Sequence, residues 1–251
     1  MSGGRICVNL IAGQADEELV AEGITYSKED RYALMEEEVR IMKALWNAEG
    51  SIDFDGRFHQ LKGASINPQP RTQPKFFLGG GSQDAWNLSA KHADVHLFWG
   101  DLPERIAENI RDLKTRAASF GRADQLGFGM RLQIICRESE EEARAAADAL
   151  VCHIPEAMRE RLKQRVANSE ANRRVQELAA AKGEWIAPHL WSGLTRFRPG
   201  AGIAVVGNPQ QCADTLTEFA DAGCTSFCLS GYLHDAEAER FGRLVRPLLQ
   251  G

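Results

Sequence analysis

The stretch that decides the fold is Lys75 to Gly100, KFFLGGGSQDAWNLSAKHADVHLFWG. Lys75 to Leu78 is a short apolar strand, and Gly79-Gly80-Gly81-Ser82 is a tight turn. Gln83 to His92 reads as a helix, and Val95 to Phe98 as the next strand. A strand, a helix and a second strand in that order require parallel pairing through a right-handed crossover. The rhythm continues on both sides of the stretch. Upstream, Arg5 to Ile11 (RICVNLI) reads as a buried strand rich in β-branched residues. A polar loop follows, and then a helix from Lys28 to Asn47. Ser27 is its N-cap, Asp30 an early acid, and Met35, Val39, Met42 and Leu45 fall at helical spacing. Ser51 to Ala64 reads as a hairpin turning at Asp55-Gly56, and Pro68, Pro70 and Pro74 mark an extended connector. Downstream, Asp101 caps a helix running to about Phe120 with Pro103 in its first turn. Phe128 to Cys136 is a strand and Glu138 to Val151 an Ala-rich helix. Ile203 to Val206 is a short apolar run, Pro209 to Ala222 a helix, Ser226 to Ser230 a strand and Asp235 to Leu249 a closing helix. The pattern is an α/β fold, either a barrel or a doubly wound sheet.

Composition bounds the function classes. The chain has 251 residues, 43% hydrophobic and 26% charged, which is ordinary for a globular protein. No apolar run reaches the length of a bilayer span, so no membrane association is expected. The N-terminal Met-Ser-Gly-Gly-Arg has no apolar core of a signal peptide. A net charge of −5 argues against nucleic acid as a partner. Six scattered cysteines without C-x-x-C spacing read as reduced thiols in a cytoplasmic protein. Cys224 and Cys228, four apart in a β-like run, are expected on one face. One segment breaks the rhythm. Pro155 to Lys182 is a polar helical stretch with no strand after it, and it runs into GEWIAPHLWSGLTRFRPGAG. It reads either as a lid or as a solvated excursion.

Ligands of parallel α/β folds bind beyond the C-terminal ends of the strands. The positions there are Asn9 to Gly13, Gly79 to Ser82, Trp99-Gly100, the Arg131–Gln133 stretch and Ser230-Gly231-Tyr232. The turn holding Gly80, Gly81 and Ser82 is the most informative. Glycines let backbone N–H groups approach a phosphate, and Ser82 adds a hydroxyl at a helix N-terminus. A tight turn with a Ser cap explains the same residues. Arg131 lies in an otherwise apolar strand with Gln133 on the same face, as core polar pairs or as site residues. Trp99 reads as core or as a ligand-stacking ring, and Arg198 as an anion holder or a solvated loop residue. His92 and His96 have metal-like spacing, but the second falls in a strand and no Glu follows the first, so no metal site is expected. There is no G-x-S-x-G elbow and no P-loop.

The blocks RICVNLIAG, DRYALMEEEVRIMKALW, GGGSQDAWNLSAKHADVHLFWGD, FGMRLQIICRESEEEA, PHLWSGLTRFRPGAGIAVVG and CTSFCLSGY occur in this order. Together they resemble the flavin-dependent alkanesulfonate monooxygenases of the bacterial luciferase-like superfamily. The resemblance spans nearly the whole chain, and LWSGL, RPGAG, VVG and LSGY are its most specific parts. It implies a TIM-barrel-like (β/α)8 fold, a single domain over 1–251, and a mobile lid at about 155–187. It implies a reaction in which reduced FMN (FMNH2) and O2 cleave the C–S bond of an organosulfonate, releasing sulfite and an aldehyde. A separate NAD(P)H-dependent FMN reductase would supply the FMNH2, and a homo-oligomer is expected. The turn at Gly80, Gly81 and Ser82 would hold the FMN phosphate, with flavin contacts from Asn9 and Tyr32. Trp99, Arg131, Gln133, Arg198 and Tyr232 match active-site positions; the family position of Gln133 is usually histidine, and glutamine cannot exchange a proton near neutral pH. The chain's start resembles the start of the family's fourth strand, so only strands 4–8 of the barrel are expected. Two other readings remain at this stage: a non-catalytic remnant of such a barrel, and a deazaflavin-dependent oxidoreductase, against which LSGY argues.

Overall fold

The structure, a computed structural model, describes residues 2–13, 16–153, 155, 157, 170–196 and 200–249. The chain divides into two compact units, Met1–His96 with Lys114–Leu126, and Leu97–Leu113 with Gly127–Gly251.

In the first unit β1 (Cys7–Leu10) pairs in parallel with β4 (Lys75–Gly79), Cys7 opposite Lys75 and Asn9 opposite Phe77. The strand order is β1-β4-β5, with β5 (Val95–Trp99) entering through Val95 and His96. α1 (Asp16–Ala21) occupies part of the stretch expected as a loop. α2 (Lys28–Asn47) starts where Ser27 accepts from the Asp30 N–H, as the cap signal predicts. Its Val39 face is buried, and Trp46 stacks on Phe76 of β4 at 5.1 Å. α3 (Gln83–His92) starts after Ser82, and at its far end Lys91 and His92 both reach Glu36 of α2 at 3.1 Å.

The hairpin differs from the expectation in its turn. β2 (Ile52–Asp55) and β3 (Gln60–Ala64) are antiparallel, but Asp55 pairs with Gln60, so Gly56 to His59 form a four-residue loop. The cause lies on α2. The Glu37 carboxylate accepts from the backbone N–H groups of Arg57 (2.6 Å), Phe58 (3.0 Å) and His59 (3.1 Å). A side chain 20 to 22 residues away from its donors thus supplies acceptors that an Asp-Gly turn would not need.

In the second unit, which β5 enters through Leu97–Trp99, the order is β5-β6-β9-β8-β7, with β10 also on β6. β6 (Gly127–Cys136) pairs in parallel with β10 (Ser226–Ser230) along Gly129–Gln133 and with β9 (Ala204–Gly207) along Gln133–Cys136. β7 (Trp185–Ala187) and β8 (Leu190–Trp191) add antiparallel neighbours. No strand was expected directly after Lys182, where β7 and β8 stand; three- and two-residue strands are too short to leave a period in the sequence. α5 (Glu140–Val151) begins two residues later than expected, because Ser139 and Glu142 close a capping box. α6 (Glu170–Lys182) lies in the helical stretch expected over Pro155 to Lys182, of which residues 156 and 158–169 lie outside the described residues. α4 (Pro103–Ala118) and α7 (Pro209–Asp221) fall where expected. The closing helix is α only over His234–Arg240 (α8) and continues as a wider turn to Val245 and a tighter one to Leu249. Pro247 has no N–H to carry a regular ladder there. Cys224 is buried in the loop before β10 while Cys228 is exposed within it, so the two do not share an environment as expected.

A buried carboxylate anchors α8. Glu237, 2% exposed, lies between Arg137 (2.9 Å) and Arg240 (2.6 Å). Gly231 allows this approach, since a Cβ there would stand 2.5 Å from the Glu237 Cγ and 2.9 Å from the Ile134 carbonyl oxygen.

Burial works to raise the Glu37 carboxyl, but the three backbone donors outweigh it and hold it below the usual carboxylate range. A lowered folded-state value stabilises above the unfolded-state value and is lost as pH falls through the folded one. Glu37→Gln should therefore speed hydrogen exchange at Arg57, Phe58 and His59. It should also remove part of the parent protein's loss of stability on acidification, read from melting curves between neutral and acid pH.

Candidate functional site

Two groups of the expected residues are described, one in each unit. The first lies at the C-terminal end of β4. Gly80 adopts φ 138°, a conformation open to glycine, and a Cβ there would stand 2.9 Å from the Ala85 Cβ. The chain is thus bent tightly enough for Ser82 to cap α3. Its hydroxyl accepts from the Ala85 N–H at 3.3 Å and donates to the Tyr32 hydroxyl at 3.4 Å. The Gly80 carbonyl accepts from the Trp86 indole N–H at 3.1 Å. The first intrahelical bond runs from the Trp86 N–H to the Ser82 carbonyl, leaving the N–H groups of Gln83 and Asp84 ahead of it. Gly80, Ser82 and Tyr32 are therefore together, and Gly81 stands between the first two. Asn9 is exposed on β1, opposite Phe77 and two residues short of the end of β4. The Ser82 cap is made, and the Tyr32 hydroxyl stands beside it.

The paired histidines are structural. His96 is fully buried, its Nδ1 2.7 Å from the Ser89 hydroxyl, and burial pushes it down to about 3, so it stays neutral. His92 also falls below its usual value, through burial that outweighs its bond to Glu36.

The second group lies where β6 meets β10. In register, Cys228 stands opposite Arg131 and Ser230 opposite Gln133. Residues two apart on a strand share a face, so these four side chains lie on one face of the pair. Arg131 Nη1 donates to the Ser230 hydroxyl (2.9 Å), to the Cys228 carbonyl (3.1 Å) and to the Leu132 carbonyl (3.5 Å). The Ser230 hydroxyl donates to Gln133 Oε1 at 3.0 Å, and Gln133 Nε2 donates to the Ala201 carbonyl at 3.1 Å. Gln133 is 1% exposed and Arg131 half-buried. Among the described residues no carboxylate lies within ion-pair distance of Arg131, and its Nε and Nη2 make no hydrogen bond. Arg131 is thus a half-buried guanidinium oriented by two carbonyls and a hydroxyl, with no described carboxylate beside it.

The other expected residues are placed differently. Trp99 is half-buried at the end of β5, next to Gly100, whose α-carbon is close against Ile203 and Leu132. Tyr232 packs on the apolar cluster of Ile135, Ala143, Ala147, Trp191, Leu194, Ala204 and Val206, with its ring 5.8 Å from that of His234. Arg198 lies outside the described residues. Sequence reasoning placed Ser230 only among strand-end positions and gave it no role; the signal was its parity with Cys228, but the register that joins it to Gln133 is tertiary. Asp101, just beyond β5, was seen as a cap alone; it also pairs with Arg174 of α6 at 2.9 Å. Gln176 donates to the Thr195 carbonyl, and Asn172 accepts from the Gly200 N–H at 2.8 Å, so α6 is tied to the loops around it.

Comparison with known proteins adds one family match and three structural likenesses. A family model described as luciferase-like monooxygenase matches residues 1–226. DmoA from Hyphomicrobium sulfonivorans is 20% identical with a TM-score of 0.79, over 99% of this chain and 62% of that one. EDTA monooxygenase (EmoA) from Chelativorans sp. BNC1 is 17% identical with a TM-score of 0.79, over 99% and 66%. Riboflavin lyase (RcaE), solved with modified FMN and riboflavin, is 20% identical with a TM-score of 0.78, over 99% and 64%. At these identities the likeness establishes the fold, which is the luciferase-like, TIM-barrel-like α/β fold. The chain spans less than two thirds of the length of these structures. No helix among the described residues is long and apolar enough to cross a membrane.

The Ser82 cap gives a direct check. Ser82→Ala should cost about 1 kcal/mol, the usual worth of an N-cap hydroxyl. Gly80→Ala should cost more than about 1 kcal/mol, because the new Cβ meets both a disfavoured φ and Ala85. Denaturant melts of the two variants measure both.

Proposed function

The chain belongs to the luciferase-like monooxygenase family, and on that premise we propose that the protein is an FMNH2- and O2-dependent monooxygenase that cleaves the C–S bond of an alkanesulfonate. The overall change consumes the sulfonate, FMNH2 and O2 and yields an aldehyde, sulfite, oxidised FMN and water. The observation that carries the reading is Arg131, whose charge no described carboxylate neutralises and whose geometry suits a sulfonate oxygen. Arg198 would share the anion, Tyr232, just past the end of β10, would donate a proton, and Trp99 would wall the alkyl chain.

The turn at Gly80, Gly81 and Ser82 fits a phosphate-bearing cofactor. Its tight bend is space that a Cβ would fill, and the hydroxyls of Ser82 and Tyr32 stand beside first-turn N–H groups that favour an anion. When bound there, FMNH2 supplies the electrons that activate O2. Asn9 would reach the flavin from β1. The segment at about 155–187 would act as a lid that excludes water, anchored by the bonds of α6 to Asp101 and Thr195. The free thiols suit a cytoplasmic enzyme that receives FMNH2 from an NAD(P)H-dependent reductase and works as a homo-oligomer. Gln133 in place of a histidine leaves a position that binds its neighbours without titrating.

Sulfite release from a series of linear alkanesulfonates, with FMNH2 supplied by a reductase, tests this. Arg131→Ala should lower kcat/KM by roughly 10- to 100-fold, the range for loss of a charge-assisted hydrogen bond. Arg131→Lys should recover only part, since it keeps the charge and loses the planar fork. Absence of sulfite from every chain length would reject the C–S cleavage, and equal turnover by Arg131→Ala would reject the anion receptor.

A further inference from the structure

The hydroxyl of Ser230 stands between Arg131 and Gln133 and has no role in the proposed reaction. It accepts from Arg131 Nη1 at 2.9 Å and donates to Gln133 Oε1 at 3.0 Å. Both contacts follow from one register, in which Ser230 is directly opposite Gln133 and diagonal to Arg131. The direction of every bond in the chain is determined. A guanidinium only donates, so the Ser230 oxygen must accept from Arg131 and its one proton must go elsewhere. That proton goes to Gln133 Oε1, which requires the amide to point its Nε2 toward the Ala201 carbonyl, as it does at 3.1 Å. Gln133 is buried, so an unmade bond there would be costly and the amide orientation is locked. The lock extends back to Arg131: its Nη1 is held by Ser230 and Cys228, and its Nε and Nη2 are left without a described partner.

We propose that Ser230 is the positioning residue of the anion receptor: its hydroxyl, oriented by Gln133, fixes the Arg131 guanidinium so that the unused N–H groups meet the anionic head of the substrate as a fork. The proposal rests on the reading of Arg131 as the sulfonate receptor. It extends that reading to the substrate class, an organic anion with two oxygens able to accept in parallel, such as a sulfonate. Ala201 lies in the same RPGAG stretch as Arg198, so the Gln133 amide also ties the receptor to the loop expected to supply the second arginine.

The test uses 1-octanesulfonate as the probe, with binding measured by calorimetry in the absence of flavin, and turnover measured separately by sulfite release. Ser230→Ala should weaken binding about tenfold and raise KM while leaving kcat within about twofold, because a misplaced arginine loses ground-state affinity first. Ser230→Thr, which keeps the hydroxyl, should bind within about threefold of the parent. A general packing defect would instead lower kcat and melting temperature in both variants. Parent-like binding by Ser230→Ala, or loss in Ser230→Thr equal to that in Ser230→Ala, would overturn the proposal. Failure of the parent to bind any sulfonate would reject the receptor reading instead. In that case the nitrogen-15 spectrum of the Arg131 guanidinium decides for Ser230. Separate Nη signals in the parent that merge in Ser230→Ala would support the positioning role, and unchanged spectra would overturn it.

Discussion

The parallel register of β6 on β10 is the constraint on which the site depends. Gln133 is the residue where two ladders meet, opposite Ser230 of β10 on one side and Ala204 of β9 on the other. Its backbone N–H is taken by the Ile203 carbonyl and its side-chain N–H by the Ala201 carbonyl. One buried amide thereby fastens β10, β9 and the loop before β9 to the middle of β6. A slip of one residue would turn Arg131 and Gln133 to the opposite face, putting a charge and an amide into the buried places that Met130, Leu132 and Ile134 fill. The cost of that alternative is what makes the register specific.

The same logic explains why the polar chain is tolerated inside an apolar strand. Arg131 and Gln133 are the polar interruptions of a strand that is otherwise buried from Phe128 to Cys136. Both polar side-chain atoms of Gln133 have a partner, and Arg131 keeps one nitrogen engaged while half-exposed. A satisfied network of this kind is stable, whereas a partly satisfied one is the weakest point of a core. Arg131 is the member left with capacity to spare. Glu237 shows the contrasting case: a buried carboxylate between Arg137 and Arg240 has its charge balanced within the fold and anchors α8.

Much of this was legible before the structure. Ser27 and Ser82 marked helix starts because a hydroxyl before an acid and an apolar period has few other uses. The five strands from β1 to β10 that carry the parallel pairing showed as apolar runs bounded by turns. Parity alone put Arg131 and Gln133 on one face. The departures share one cause, which is dependence on residues distant in sequence. The hairpin loop of Gly56 to His59 is shaped by Glu37, the pairing of β7 with β8 depends on β9, and the role of Ser230 depends on the β6–β10 register. The resemblance implied a flavin contact for Tyr32 and said nothing of its contact with Ser82; no local signal links residues 50 apart, and their contact is a hydroxyl pair.

The central claim is that Arg131, Ser230 and Gln133 act as one unit in holding an anion. A double-mutant cycle on Arg131→Ala and Ser230→Ala, read as 1-octanesulfonate affinity, measures this directly. Removal of the guanidinium leaves Ser230 with nothing to position. The double variant should therefore bind no more weakly than Arg131→Ala alone, so that the loss from Ser230→Ala disappears. Losses that multiply independently in the double variant would contradict the account.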